Sequence, residues 1–417
     1  MSQTPVQISL EDCRKLDADD ELRAFRDEFR LPADVIYLDG NSLGALPVQT
    51  ADRVVDLIEL EWGRDLIRSW EANGWIGAPS RIGDKIARLV GAHVGEVIAT
   101  DSTSANLFKL IVAALQARPG RQVVLSEPGN FPTDLYMIQG ALAALSGGHR
   151  LELRPRDRLA EAIDHDTALV LLTHVHYKTA DVFDMPEITS RAHAAGALML
   201  WDLSHSVGAV AVDLNAARAD LAVGCGYKYL NGGPGAPAFL FVAERHHQDL
   251  TSPLTGWMGH ASPFDFSDAY QPAPGVRRFL CGTPSVMGLA ALETGVDLLL
   301  RADMGAIAAK SAALCRLLTT LVEQECGAYG LEAIGPALGQ PRGSHVSFRH
   351  PDGYAIMRAL IARGVIGDFR GPDVLRFGLT PLYLGFEDVW RAVQTLRAVL
   401  ADRLWDAPEY RVRTLVT

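Results

Sequence analysis

Between residues 79 and 242 the chain alternates amphipathic stretches of helical period with short apolar runs rich in β-branched side chains. That alternation is the pattern of βαβ units built on a mostly parallel sheet. Seven runs predict strands, at residues 96–100, 122–126, 150–154, 168–173, 197–201, 221–224 and 237–242. Helical stretches at 104–116, 133–145 and 186–194 are suited to serve as crossovers between them. After Pro284 the texture changes to a long helical pattern over 285–325, apolar runs at 344–348 and 374–378, and helices over 354–363 and 386–403. Upstream, helices near 21–28 and 48–62 flank the turn Asp39-Gly40-Asn41 and are too few to form a core alone. The pattern therefore predicts an α/β protein. A large domain, residues 66–284, holds a mostly parallel seven-stranded sheet between helices. A smaller α+β domain, residues 285–417, is completed by the N-terminal segment, residues 1–65.

Composition narrows the function classes. At 417 residues the chain exceeds what one hydrophobic core usually organises. Its 48% apolar and 21% charged residues exclude a disordered or fibrous protein. A formal charge of -11 opposes binding to nucleic acid, whose phosphates call for a basic surface. Five cysteines with no C-x-x-C pair suit a reducing compartment and no disulfide framework. The first twenty residues lack the apolar centre of a signal peptide, and no apolar run approaches the roughly 18 residues of a membrane span. These features lead to the expectation of a cytoplasmic protein without a membrane partner. No H-E-x-x-H or thiolate cluster points to a metal.

Gly40-Asn41-Ser42-Leu43-Gly44 spells the G-x-S-x-G nucleophile elbow. Its context is wrong, because Pro47 biases Leu46 away from helix and too little chain precedes it to build a central sheet. Gly224-Cys225-Gly226 begins like a dinucleotide fingerprint, but Tyr229 occupies the third glycine position. The stronger signal is Lys228, just beyond one strand and ahead of Asn231-Gly232-Gly233-Pro234-Gly235. Asp202 ends another strand, and Ser102-Thr103-Ser104 open the helix after a third. Ligands of open parallel sheets bind outside the carboxyl ends of the strands, so these groups converge on one crevice. A lysine amine, a carboxylate and hydroxyls at a helix N-terminus are what pyridoxal 5'-phosphate needs for its aldehyde, its pyridine nitrogen and its phosphate.

The chain also resembles the kynureninase family, dimeric pyridoxal phosphate enzymes of the aspartate-aminotransferase type. The likeness lies in Tyr37-Leu38-Asp39-Gly40-Asn41-Ser42-Leu43-Gly44, Leu66-Ile67-Arg68-Ser69-Trp70, Asn130-Phe131-Pro132-Thr133-Asp134 and Trp201-Asp202-Leu203-Ser204-His205-Ser206. It continues through residues 227–235, Gly256-Trp257, Gly343-Ser344-His345-Val346-Ser347-Phe348 and Arg376-Phe377-Gly378. The resemblance implies hydrolysis of L-kynurenine to anthranilate and L-alanine in tryptophan degradation. It assigns Lys228 to the Schiff base, Asp202 to the pyridinium counter-charge, and Thr103, Ser104 and Tyr227 to the phosphate, with Tyr227 also a candidate proton donor. Phe131 would stack on the ring, and Asp134, Thr173 and His205 match further cofactor-pocket positions. Trp257 and Thr283 match residues that reach the site from the neighbouring subunit of a homodimer. Arg376 matches the arginine that grips the substrate carboxylate, and Asn41, Trp70 and Gly282 match other substrate positions. Trp70, Gly282 and Thr283 resemble the set that prefers kynurenine over 3-hydroxykynurenine. An aminotransferase or cysteine desulfurase of the same fold is the near rival, and a catalytically idle binding protein the distant one.

Overall fold

A computed structural model describes residues 7–413. The chain opens with the helix Leu10–Ala18, capped by Ser9, and a short 3-10 helix, Arg23–Glu28. A two-residue strand, β1 (Ile36–Tyr37), pairs with residues near the far end of the chain. The expected helix over 48–62 is α-helical only through Val48–Asp56; a π-helical turn carries it over Leu57–Asp65 and ends at Leu66, which has a positive φ.

All seven expected strands form one sheet: β2 (Val97–Ala99), β3 (Val123–Ser126), β4 (Arg150–Leu153), β5 (Thr167–Thr173), β6 (Leu198–Asp202), β7 (Leu221–Gly224) and β8 (Phe239–Val242). Their order is β2-β8-β7-β6-β5-β3-β4. Strands β3 to β7 run parallel, and β8 lies antiparallel between β7 and β2. Because Ala99 and Gly224 both pair with Phe239, β2 points the same way as β7. Six strands therefore end on one edge, where Thr100, Ser126, Thr173, Asp202 and Gly224 gather. The strands are buried from end to end except at edge strand β4, as expected for a sheet covered on both faces.

The expected continuous helix over 285–325 is two helices, Val286–Leu300 and Met304–Cys326. Asp303 breaks them apart by capping the second, its Oδ1 accepting from the Ala306 amide at 2.8 Å. The first of the pair packs on the helices Val48–Asp56 and Ala78–Leu89, with Arg81 and Lys85 paired to Glu293. The second is long and apolar enough to span a membrane, but its apolar side, including Ile307, Leu314, Leu318 and Leu321, is buried in the core. It lies on the helix Phe386–Ala401.

Four more strands, β9 (Glu332–Ile334), β10 (His345–Arg349), β12 (Asp368–Arg370) and β13 (Val374–Gly378), form an antiparallel sheet, while β11 (Val365–Ile366) pairs with β1. Near the N-terminus, Asp17 accepts from the backbone amides of Phe386 and Glu387, and Lys310 pairs with Asp20 at 2.6 Å. The N-terminal segment is thereby pinned to the C-terminal part of the chain.

Candidate active site

The parallel register of β5 and β6 sets Thr173 beside Asp202 at the strand ends. The backbone amide of Ser204 donates to Asp202 Oδ1 at 2.7 Å. Thr173 donates to Asn130 Oδ1 and, at 3.2 Å, to Asp134 Oδ2 in the first turn of the helix Pro132–Ala144. Asp134 and Asp202 are both buried. Burial, then the neighbouring Asp202 charge, push the Asp134 carboxyl well above the usual range, which favours its protonated form.

Lys228 lies four residues beyond Gly224, at the end of β7, and is only 8% exposed. Its Nζ is 3.0 Å from His205 Nε2 and 5.7 Å from the centre of the Phe131 ring. Burial, reinforced by the Lys228 charge, holds His205 neutral, and its Nδ1 has no partner in the protein. The His345 ring lies tilted against it, ring centres 5.7 Å apart, and is also kept neutral by burial and by Arg376. Burial raises the Tyr227 hydroxyl, so it keeps its proton at neutral pH.

Ser102 caps the helix Thr103–Gln116, its Oγ accepting from the Ala105 amide at 3.2 Å. That helix start opens on a cavity of about 470 Å³ lined by Thr103, Tyr227, Gly282 and Thr283, among others. Within one chain, then, Gly282 and Thr283 already share a cavity with Thr103 and Tyr227; Ser104 is not on its wall. Trp70 and Trp257 do not line it: Trp70 packs edge-on against Trp75, and Trp257, 37% exposed, against Phe264.

On β13, Arg376 is buried and its fork is engaged. Nε and Nη2 grip Asp368 at 2.8 and 2.5 Å, Nη2 reaches Ser42 Oγ at 2.9 Å, and Nη1 donates to the Tyr177 carbonyl at 2.5 Å. With its amide oxygen turned to the guanidinium, Asn41 accepts from Nε at 2.9 Å. The fork assigned to a substrate carboxylate is thus already closed on a protein carboxylate, and a spare N–H remains on Nη1. Arg370 shares Asp368, so two guanidiniums face one carboxylate. Burial raises Asp368, but Arg376 and Arg370 outweigh it and hold the group below its usual range.

Ser42 is no nucleophile: its partners are Asp368, Arg376 and Arg370, with no histidine base. The glycines of that motif serve close packing instead. A side chain on Gly44 would strike the Lys228 carbonyl, and one on Gly40 would strike Thr380 and Tyr383. Asp368, Arg370 and Lys109 went unnoticed in the sequence. Lys109 carried a signal, as the lone charge in Leu107-Phe108-Lys109-Leu110-Ile111-Val112.

The site has what pyridoxal phosphate requires: a buried amine, a buried carboxylate pair, an aromatic ring 5.7 Å from the amine, and buried polar atoms, His205 Nδ1 and Asp134 Oδ1, that no protein group satisfies. Among the described residues no cluster of three or more His, Cys, Asp or Glu side chains could hold a metal.

Known structures of similar shape include the cysteine desulfurase of Thermococcus onnurineus NA1, with a TM-score of 0.77 at 20% identity over 91% of this chain and 98% of that one. A C-DES variant with glycine covalently linked to its PLP cofactor has a TM-score of 0.78 at 17% identity over 89% of this chain and 98% of its own. At such identities the likeness establishes the fold. The family profile of the kynureninase C-terminal domain matches residues 307–396. Kynureninase of Burkholderia pseudomallei (strain 1106a) is 52% identical over 413 residues, covering 98% of this chain and 99% of the relative. That of Pseudomonas fluorescens is 49% identical over 411 residues, covering 97% and 99%. Half of the residues are shared along nearly the full length of both proteins, and the chain belongs to the kynureninase family.

Proposed function

We propose that this chain binds pyridoxal phosphate at Lys228 and hydrolyses L-kynurenine to anthranilate and L-alanine, with 3-hydroxykynurenine the poorer substrate. The observation that carries the reading is the Lys228 amine, buried beside a neutral histidine at the same strand edge as the Asp134–Asp202 pair.

When bound, pyridoxal phosphate supplies an electron sink that stabilises negative charge at the substrate's α- and β-carbons. Asp202 would hold the proton on the pyridine nitrogen, and Ser204 and Thr173 keep the carboxylate pair oriented. Phe131 would cover the ring, and Thr103, Ser104 and Tyr227 would hold the phosphate. Lys228 Nζ would hold the cofactor's aldehyde carbon and, when free, would serve as base for the substrate's α-proton; neutral His205 next to it accepts or returns a hydrogen bond without adding charge. The γ-carbonyl must then take up water before the Cβ–Cγ bond can break. Tyr227 Oη, kept protonated by burial, is suited to donate a proton to the departing fragment rather than to remove one.

The net positive charge of Arg370, Arg376 and Asp368 attracts the substrate carboxylate, and the Nη1 donor left on Arg376, beside the Tyr177 carbonyl, is free to meet it. Trp70 and Gly282 would bound the aryl group. The surface positions of Trp257, Trp62, Leu66 and Ile67, the last 75% exposed, support a homodimer in which Trp257 reaches the neighbouring subunit's site, while Thr283 lines the cavity of its own chain. The five free thiols and the acidic balance support a cytoplasmic setting.

Anthranilate fluorescence released from kynurenine, with and without added pyridoxal phosphate, tests the reading. Cofactor-dependent release without any need for a keto acid is expected. Dependence on pyruvate or oxoglutarate would identify an aminotransferase, and a higher kcat/KM for 3-hydroxykynurenine would overturn the substrate preference.

A further inference from the structure

The cavity at the start of the helix Thr103–Gln116 has an electrostatic peculiarity. Among the described residues no lysine or arginine lies on its wall, and the one charged lining residue is an acid, Asp101. For a pocket that is to receive a phosphate dianion, that sign is wrong. The Asp101 side chain is 35% exposed, and the residue sits at a positive φ of 48° in the turn that aims the helix start at the cavity.

The compensating charge comes from behind. Lys109, two turns into the helix, has a fully buried side chain whose Nζ donates to Asp101 Oδ2 at 2.5 Å. Its second bond, at 2.7 Å, goes to the carbonyl of Phe279, three residues before Gly282 on the opposite wall. Thr100 Oγ1 adds a 2.8 Å bond to the same Asp101 oxygen. One ammonium thus neutralises the acidic wall and ties it to the segment that carries Gly282 and Thr283.

We infer that Lys109 is a positioning residue for the phosphate end of the cofactor: by cancelling the Asp101 charge it lets the cavity accept a dianion, and so gives preference to the phosphorylated cofactor over pyridoxal. The inference rests on the pyridoxal phosphate reading of this cavity. A buried pair serving stability alone would affect both forms of the cofactor equally; a charge-cancelling role affects only the phosphorylated one.

The test is titration of the cofactor-free chain with pyridoxal phosphate and, separately, with pyridoxal, following the absorbance of the adduct at Lys228. Lys109→Met is expected to weaken pyridoxal phosphate binding by about tenfold or more, the effect of one uncompensated charge near a dianion. Pyridoxal binding should change by less than about threefold. Adding Asp101→Asn to Lys109→Met should restore the phosphorylated cofactor to within about threefold of the unmodified chain. Equal losses for both ligands, no loss for either, or a double variant no better than Lys109→Met would overturn the inference. Should Lys109→Met not fold, Asp101→Asn alone decides: pyridoxal phosphate binding unchanged or tighter is expected, and a tenfold loss overturns the role. An unmodified chain that forms no adduct with either ligand would instead refute the cofactor reading itself.

Discussion

Replacing Glu127 with glutamine is expected to stabilise the chain in mild alkali and to leave it unchanged in weak acid. Glu127 follows β3 at the strand edge that carries the site, is buried, and has an Oε1 without any partner. Burial raises its carboxyl from the ordinary 4.5 to about 7; Arg156 pulls the other way and Asp181 adds to the rise. Arg156 forms no ion pair with it and spends its guanidinium over the Phe183 ring, 3.6 Å from the centre. Because the folded chain holds this proton more tightly than the unfolded chain, stability falls as pH rises from 4.5 through 7. At about 1.4 kcal/mol per pH unit, that gap amounts to roughly 3 kcal/mol once the group is fully ionised. Below 4.5 both states are protonated and the group contributes no difference. Glu127→Gln keeps the shape and removes the titration. Urea unfolding at one protein concentration should therefore give equal midpoints near pH 4.5 and an advantage of roughly 3 kcal/mol for the variant near pH 8. A variant that matches the unmodified chain at pH 8, or gains more in acid than in alkali, would refute the reasoning.

Three further outcomes concern the reaction. Lys228→Ala should abolish both anthranilate release and the borohydride-trappable cofactor adduct, and retained turnover would remove the amine from the mechanism. Arg376→Ala should raise KM for kynurenine by about 10²-fold with little change in cofactor absorbance, while lowering stability by roughly 3 to 5 kcal/mol because Asp368 is left buried beside Arg370 alone. Asp202→Asn should leave the cofactor bound and lower kcat by on the order of 10³-fold, through loss of about three pH units of support for the protonated ring; an unchanged single-turnover rate would contradict it.

The large sheet was legible because each strand is a short apolar run between polar turns, and each of the seven lies within two residues of its expected position at either end. The places of Asp202, at the end of β6, and of Lys228, in the turn beyond β7, on the carboxyl edge of the sheet were legible for a related reason, since both follow buried apolar runs. What the sequence hides is pairing at long range. Nothing local says that β8 inserts antiparallel between β7 and β2, or that Asp368 on β12 lies across from Arg376 on β13 and takes its fork. The break at Asp303 was visible as a capping residue followed three positions later by Ala306, but the apolar periodicity on both sides obscured it. Lys109 lies within a run that reads as core, and its meaning depends on Asp101 and Phe279, partners 8 and 170 residues away.

The loop Asp39 to Gly44 joins the two halves of the site, which makes Gly44→Ala an informative perturbation. At one end the Gly44 amide donates to the Tyr227 carbonyl at 2.8 Å, so the loop lies directly on the backbone that carries Lys228. At the other, Asn41 and Ser42 bond to Arg376. The loop therefore sets the distance from the reacting amine to the group proposed to hold the substrate carboxylate. A methyl on Gly44 meets the Lys228 carbonyl, a backbone atom that cannot swing aside, so the loop or the lysine must move by about 1 Å. A displacement of that size between positioned groups lowers turnover by about 10²-fold, with an overpacking cost of roughly 1 to 3 kcal/mol in stability. Cofactor binding should persist, because Asp202, Phe131 and the phosphate cavity are held by other elements. The expected signature is a normal cofactor titration with kcat/KM reduced about 10²-fold. Unaltered kinetics would mean that the loop does not set this distance, and loss of the cofactor adduct would mean that Lys228, not the substrate grip, is what the loop positions.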